Sequence, residues 1–161
     1  DGHNIEELLA TLNKIKNIEG PIFIHVKTQK GKGYSFAELD QEKFHGISPF
    51  DMETGNTVSS SQTYSSIFGK EIVKLGEKDK DIVAICSGMV KGTGLEEFFK
   101  RFPERAIDTG IAEGHAVTFA GGLATQGKKP YVVIYSTFLQ RAYSQLIHDI
   151  SLQNLPVRFI V

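Results

Sequence analysis

The sequence predicts an α/β fold in which a parallel β-sheet is flanked by helices. Short apolar runs, such as residues 82–86 (IVAIC) and 131–135 (YVVIY), are typical of strands that are buried on both faces. Longer segments with apolar residues at helical spacing separate these runs. Residues 116–124 are small and mostly apolar, which indicates a buried, closely packed helix. Strands that alternate with helices form parallel sheets, so these observations together predict a parallel sheet covered by helices.

Residues 1–33 are predicted to be the C-terminal tail of a larger α/β domain. Apolar residues recur at helical spacing between residues 5 and 18, and Gly20-Pro21 ends that helix. Residues 22–26 (IFIHV) then predict a buried strand. Because a domain that began here would lack neighbours for this strand, we expect the earlier part of the domain to lie outside this chain.

Residues 34–62 are predicted to be an interdomain linker, because charged residues, Gly and Ser dominate and no regular spacing persists. Residues 63–161 are predicted to be the N-terminal part of a second domain, which begins with a Ser- or Thr-capped helix at Tyr64–Leu75. Its other predicted elements are, in order, strand 82–86, helix 95–101, strand 106–107, helix 112–126, strand 131–135, helix 138–152 and strand 157–161. Because the chain halts on a strand, we expect this domain also to be incomplete.

Composition narrows the class of protein. The chain has 161 residues and a formal net charge of −1, which gives no reason to expect nucleic acid or an anionic membrane as a partner. No apolar run approaches the length that spans a bilayer. A single cysteine, Cys86, excludes an internal disulfide and fits a reducing compartment. It lies in an apolar run, so we expect a buried, inert thiol.

The most informative stretch is residues 111–117 (IAEGHAV), which places Glu113 at the start of the predicted buried helix. A carboxyl in that position has little water around it, and such a group is suited to acid–base catalysis. The alternative is an ordinary glutamate in the first turn of a helix, where the helix dipole favours negative charge.

Four blocks of sequence, in order, resemble the 1-deoxy-D-xylulose-5-phosphate synthase family of transketolase-like thiamine diphosphate enzymes. The blocks are residues 30–34 (KGKGY), 44–51 (FHGISPFD), 111–117 (IAEGHAV) and 135–143 (YSTFLQRAY). The resemblance covers essentially the whole chain. It implies an enzyme that condenses pyruvate with D-glyceraldehyde 3-phosphate and releases CO2, for isoprenoid and thiamine precursor synthesis. It also implies a homodimer in the bacterial cytoplasm or the plastid stroma.

The resemblance implies roles for individual residues of the second domain. Glu113 would share a proton with the pyrimidine ring of thiamine diphosphate, and Phe138 would stack on that ring. Tyr135 would border the cofactor or the substrate. Arg141 would hold the phosphate of the aldehyde, a task that suits a planar, always-charged guanidinium. Met89, after the end of a strand, is a candidate cofactor contact, with simple packing as the alternative.

The upstream blocks imply further contacts. Tyr34 matches a cofactor-contacting residue in a Gly-rich turn, and Lys30 matches a nearby cation. His45 resembles a catalytic histidine that reaches the reacting centre and the substrate from the linker. The chain departs from the family pattern at Gly114, where we expect Gln. A helix-interior Gly costs about 1 kcal/mol, so the start of this helix is expected to be looser.

The resemblance also implies that the diphosphate binds through Mg²⁺, held by a Gly-Asp-Gly and Asn motif. These 161 residues do not contain that motif, so we expect the metal ligands to lie outside the chain and the chain alone to be inactive. Two alternatives remain. A transketolase or a related 2-oxo-acid dehydrogenase component would share Glu113 and the stacking aromatic, but residues 135–143 and the linker histidine favour the synthase. A non-catalytic fragment that only mediates association would account for Gly114 and the missing motif.

Overall fold

A computed structural model describes residues 1–57 and 62–161 of the chain. The chain divides into two compact units, a first unit at Asp1–Ser59 and a second unit at Ser60–Val161. The serine cluster at the end of the predicted linker, residues 59–61, lies outside the described residues. In the described ranges, no helix is both long enough and apolar enough to cross a bilayer.

The first unit consists of a helix followed by short turns. Helix α1 (Ile5–Ile15) begins after Asn4, whose side chain accepts a hydrogen bond from the backbone N–H of Glu7 at 3.0 Å. A short helix α2 (Ser35–Leu39) and a 3₁₀ turn at Lys43–His45 follow. The segment that was predicted as a linker therefore carries local structure.

Residues 22–26 do not form the predicted buried strand. Phe23 is 91% exposed, and its apolar neighbours Ile22, Ile24 and Val26 are exposed as well. No strand is found in this segment or beside it in the described part of the first unit. An apolar run becomes a buried strand only where neighbouring strands pair with it and cover it. The prediction of a strand here is wrong for this chain.

The second unit is built on a parallel sheet, which confirms the predicted α/β class. The strands of its described part are β1 (Ile82–Cys86), β2 (Ala106–Asp108), β3 (Lys129–Val133) and β4 (Arg158–Ile160). Their order across the sheet is β2-β1-β3-β4, and every neighbouring pair is parallel. Strand β1 is buried along its whole length because it has a neighbour on each side and helices over both faces.

Helices cover the two faces of the sheet because side chains alternate along β1. Ile82, Ala84 and Cys86 pack with residues of α3 (Tyr64–Lys78) and α4 (Glu96–Arg101) in one apolar cluster. Val83 and Ile85 point the other way and pack with α5 (Glu113–Thr125) in a second cluster. Thr63 caps α3 by accepting from the N–H of Ser66, as the sequence predicted.

The predicted continuous helix at 138–152 is a series of shorter pieces. It contains α6 (Ser136–Leu139), a 3₁₀ turn, α7 (Tyr143–Gln145) and a π-helix at Leu146–Ser151. These helix types all return side chains to one face every three to five residues, so apolar spacing alone does not separate them. The π-helix packs tightly on α5, where the Thr118 hydroxyl donates to the Asp149 carboxylate at 2.5 Å.

Candidate functional site

The predicted site residues of the second unit lie beyond the carboxyl ends of three parallel strands. Met89 follows β1, Glu113 opens α5 after β2, and Tyr135 follows β3. In open parallel sheets, ligands bind outside these ends of the strands. The topology therefore brings residues from distant parts of the sequence to one edge of the sheet.

The approach to α5 is fixed by hydrogen bonds between the loops that follow β1 and β2. The Asp108 carboxylate accepts from the backbone N–H groups of Gly88 at 2.7 Å and Gly110 at 2.9 Å. The Thr109 N–H donates to the Cys86 carbonyl at 3.0 Å. Asp108 was not among the residues predicted from the sequence, although an acid at a strand end before Thr-Gly is a signal for such a turn.

Glu113 forms a short ion pair with Arg141. Its Oε1 accepts from Arg141 Nη1 at 2.6 Å, with the Glu113 side chain 6% exposed and the Arg141 side chain 56% exposed. The guanidinium carbon of Arg141 lies 5.1 Å from the centre of the Phe138 ring, a cation–π contact. The Phe138 and Tyr135 rings stack with their centres 6.0 Å apart. The structure thus brings four predicted site residues together, as a cluster centred on a buried carboxylate.

The second carboxylate oxygen of Glu113 remains available. Arg141 bonds to Oε1, and Oε2 receives no hydrogen bond from the described residues. In the same described ranges, no fully buried side-chain oxygen lacks a partner. Oε2 therefore has capacity to accept a further hydrogen bond.

Tyr135 and Met89 are held by packing around the same edge. A Cβ added at Gly92 would lie 2.3 Å from the Tyr135 hydroxyl, so this glycine makes room for the tyrosine. Met89 packs against the apolar cluster that also contacts Phe138. Its carbonyl accepts from the Thr93 hydroxyl at 2.8 Å. Packing accounts for Met89 in the structure, and a cofactor contact by this residue stays a prediction.

Gly114 lies beside Gln145, and we expect Gly114→Ala to raise the free energy of unfolding by about 0.5–1 kcal/mol, the usual advantage of Ala in a helix. A Cβ at Gly114 would lie 3.1 Å from Gln145 Nε2, the flexible end of a side chain that can move aside. Urea denaturation followed by circular dichroism measures the change.

Gly121→Ala is the matched control in the same helix. A Cβ at Gly121 would lie 2.9 Å from Ile150 Cδ1 in the interior. We therefore expect overpacking to lower the free energy of unfolding of this variant by about 1–3 kcal/mol. An equal loss of unfolding free energy in Gly114→Ala would show that the Gln145 side chain cannot move aside.

Tyr34, a predicted cofactor contact, is tied into the first unit. Its hydroxyl donates to the Met52 carbonyl at 2.9 Å. Its ring packs against Phe44 and Phe50, with ring centres 5.5 Å and 5.9 Å away. These contacts give Tyr34 a structural task that the sequence did not reveal, while its role at a cofactor stays a prediction.

Lys30 and His45, the other predicted residues of the first unit, are both exposed. Lys30 opens a turn in which Gly31 and Gly33 have φ angles of +80° and +94°, which glycine adopts readily. A Cβ at Gly31 would also lie 2.7 Å from backbone atoms of Ala37, so glycine is required there. His45 ends the 3₁₀ turn. The proposed roles of Lys30 and His45 stay predictions.

Comparison with known proteins identifies relatives of both units. Residues 60–161 match the family model of the transketolase pyrimidine binding domain. The chain is 63% identical over 161 residues to 1-deoxy-D-xylulose-5-phosphate synthase of Fusobacterium nucleatum, and 55% identical over 163 residues to that of Aquifex aeolicus. Both alignments cover 100% of this chain but 27% and 26% of the relatives, so the chain spans about a quarter of their length. These matches confirm the resemblance found in the four sequence blocks.

The fold also resembles a solved structure. A split-gene transketolase, described as an inactive β4 tetramer, matches with a TM-score of 0.53 and 34% sequence identity. The match covers 57% of this chain and 31% of the transketolase chain. It agrees with the parallel sheet and flanking helices of the second unit.

Proposed function

Because this chain belongs to the transketolase pyrimidine binding domain family, we propose that it is the central part of a thiamine diphosphate-dependent 1-deoxy-D-xylulose-5-phosphate synthase. The full-length enzyme would condense pyruvate with D-glyceraldehyde 3-phosphate and release CO2. The observation that carries this proposal is the buried carboxylate of Glu113 at the start of α5, whose partner Arg141 lies over the ring of Phe138. The relatives at 55–63% identity, all named as this synthase, support the choice of reaction.

The residues of the second unit fit the pyrimidine half of the cofactor. Glu113 offers a second carboxylate oxygen on a buried side chain, which suits a hydrogen bond to a ring nitrogen. Phe138 and Tyr135 offer aromatic faces at the same edge of the sheet. No cluster of three or more potential metal ligands is found among the residues that the structure describes. From the family resemblance, we propose that the Mg²⁺ ligands and the diphosphate site lie in other parts of the full-length enzyme.

The protein would contribute orientation and proton transfer. When bound, thiamine diphosphate supplies a carbon nucleophile and a sink for the electrons of the donor. Glu113 would hold or release the proton at the pyrimidine nitrogen, and Phe138 would fix the plane of the ring. Arg141 would bind the phosphate of the aldehyde through its planar fork of N–H donors. Tyr135 would border the substrate and Met89 the cofactor.

The residues of the first unit that the resemblance indicates would act in the full-length enzyme. We propose that residues 1–33 end the diphosphate-binding domain, that residues 34–62 link it to the pyrimidine-binding domain, and that the latter begins at residue 63. His45 would then move protons at the reacting centre, and Tyr34 and Lys30 would contact the cofactor. The enzyme would act as a homodimer, in the bacterial cytoplasm or the plastid stroma.

Aldehyde-dependent release of CO2 tests the proposed function. We expect the full-length enzyme to release CO2 from pyruvate in the presence of thiamine diphosphate and Mg²⁺, and to do so faster when glyceraldehyde 3-phosphate is added. Transfer from ketose phosphates instead would favour a transketolase, a candidate supported by the solved transketolase structure. Folded protein that turns over neither donor would contradict both proposals and favour a non-catalytic association role.

A further inference from the structure

The ion pair between Glu113 and Arg141 joins two groups with separate proposed tasks, one at the cofactor and one at the substrate. We propose that Arg141 is a switch residue that exchanges the Glu113 carboxylate for the phosphate of the aldehyde when the cofactor binds. The cofactor and the phosphate would then bind cooperatively, although neither touches the other. This inference rests on the proposed function and deepens it.

The geometry gives the pair one fixed partner and one movable partner. The Glu113 side chain is buried at the start of α5, whereas more than half of the Arg141 side chain is exposed. Arg141 approaches from solvent and donates to the carboxylate through Nη1 alone. Its remaining N–H donors make no hydrogen bond to the described residues. The guanidinium can therefore leave Glu113 by rotation of an exposed side chain, without disturbing the core.

Proton sharing at the pyrimidine and the ion pair with Arg141 oppose each other, although they use different oxygens of Glu113. At the pyrimidine nitrogen the carboxyl must hold or share a proton. A carboxyl that holds a proton is neutral and offers Arg141 no ion pair. A proton shared at Oε2 therefore weakens the ion pair of Arg141 with Oε1, and the ion pair in turn weakens binding of the cofactor.

Release from Glu113 leaves Arg141 ready for an anion. The guanidinium lies against the Phe138 ring at the carboxyl edge of the sheet, and its planar fork matches two oxygens of a phosphate. A phosphate that captures Arg141 removes the competitor from Glu113, so the cofactor binds more tightly. Linkage requires that each ligand strengthens the binding of the other by the same factor, about 5- to 150-fold for a coupling of ordinary size.

The affinity of thiamine diphosphate, measured without turnover, tests the exchange. Isothermal titration of the full-length enzyme with Mg²⁺ and no pyruvate gives the Kd of the cofactor alone, with saturating D-glyceraldehyde 3-phosphate, or with D-glyceraldehyde. We expect the phosphorylated aldehyde to lower this Kd about 10-fold and the unphosphorylated aldehyde to leave it unchanged. An equal Kd under all three conditions would overturn the inference.

Replacement of Arg141 provides a second test of the exchange. In Arg141→Met, we expect the Kd of thiamine diphosphate alone to fall about 5-fold or more, and its dependence on the aldehyde phosphate to disappear. Arg158→Met is the matched control, because Arg158 is also exposed and lies 5.4 Å from the centre of an aromatic ring, that of Tyr131. It is expected to behave as the unmodified enzyme does. Weaker cofactor binding in Arg141→Met would contradict the exchange, because it would show that Arg141 supports Glu113 rather than competes for it.

Release of CO2 by the same preparations separates failure of this inference from failure of the proposed function. If CO2 release depends on the aldehyde but the Kd of the cofactor does not change with the aldehyde phosphate, the proposed exchange is wrong and the proposed function stands. If the folded enzyme neither binds thiamine diphosphate nor releases CO2, the proposed function is wrong and the inference fails with it.

Discussion

Replacement of Glu113 by glutamine is expected to lower the rate of aldehyde-dependent CO2 release by at least about 100-fold, the usual contribution of a positioned acid–base group. Glutamine keeps the length and shape of the side chain and still accepts a hydrogen bond from Arg141. It cannot hold or release a proton at neutral pH. The loss therefore reports proton exchange by this carboxyl, rather than its packing at the start of α5. Steady-state rates of CO2 release by the full-length enzyme measure it.

Glu96→Gln is the matched control for Glu113→Gln. Glu96 is also in the first turn of a helix, α4, so both changes remove a negative charge from a favourable end of the helix dipole. Glu96 is exposed, however, and belongs to α4, which packs on the face of the sheet opposite to α5. We expect Glu96→Gln to retain full activity. Comparable rates in the two variants would remove Glu113 from the proposed mechanism, and a Glu113→Gln protein with altered circular dichroism would locate its effect in folding.

The sheet of the second unit could be predicted because its strands have a local signal. The β1 run is apolar at every position, and the structure buries every one of its residues. The same signal failed at residues 22–26, where the apolar residues are exposed. The composition of the two runs is similar, and the difference lies in the neighbouring strands. Those neighbours are a property of the tertiary structure, which a short window of sequence does not contain.

The candidate site could be predicted only residue by residue. Spacing and resemblance indicated Glu113, Phe138 and Arg141, and the structure places them in one cluster. The ion pair between Glu113 and Arg141 spans 28 positions in the sequence and depends on how the helices after β2 and β3 pack. Asp108 was missed for the same reason, because its partner Gly88 lies on the loop after a different strand. Contacts of this kind carry no periodic signal.

Replacement of Arg105 by methionine is expected to lower the free energy of unfolding by about 2–4 kcal/mol. The Arg105 side chain is 13% exposed, and its guanidinium donates to the carbonyls of Gly76 at 3.1 Å and Asp79 at 3.0 Å. These carbonyls lie at the C-terminal end of α3, where positive charge also stabilises the helix dipole. The guanidinium carbon lies 4.2 Å from the centre of the Phe102 ring. Methionine fills similar space but leaves both carbonyls without this donor.

Arg101→Met is the control for the loss of arginine from the same region. Arg101 pairs with Glu77 of α3 at 2.5 Å, but both side chains are well exposed, so its contribution is expected to stay below about 1 kcal/mol. Arg105→Lys should fall between the two, because it keeps the charge and loses the planar fork. Urea denaturation followed by circular dichroism compares the three variants. Equal losses in Arg105→Met and Arg101→Met would mean that the hydrogen bonds of Arg105 to the end of α3 add nothing to stability.

Arg105→Met should also separate stability from activity. Arg105 precedes β2 and bonds to the chain just before β1, at the amino ends of the strands, whereas the Glu113 cluster lies at their carboxyl ends. A parallel sheet therefore keeps the stabilising arginine and the proposed catalytic glutamate on opposite edges. At temperatures well below its lowered melting temperature, we expect the folded Arg105→Met enzyme to release CO2 at the rate of the unmodified enzyme. A loss of rate in fully folded protein would show that the amino edge of the sheet also positions the start of α5.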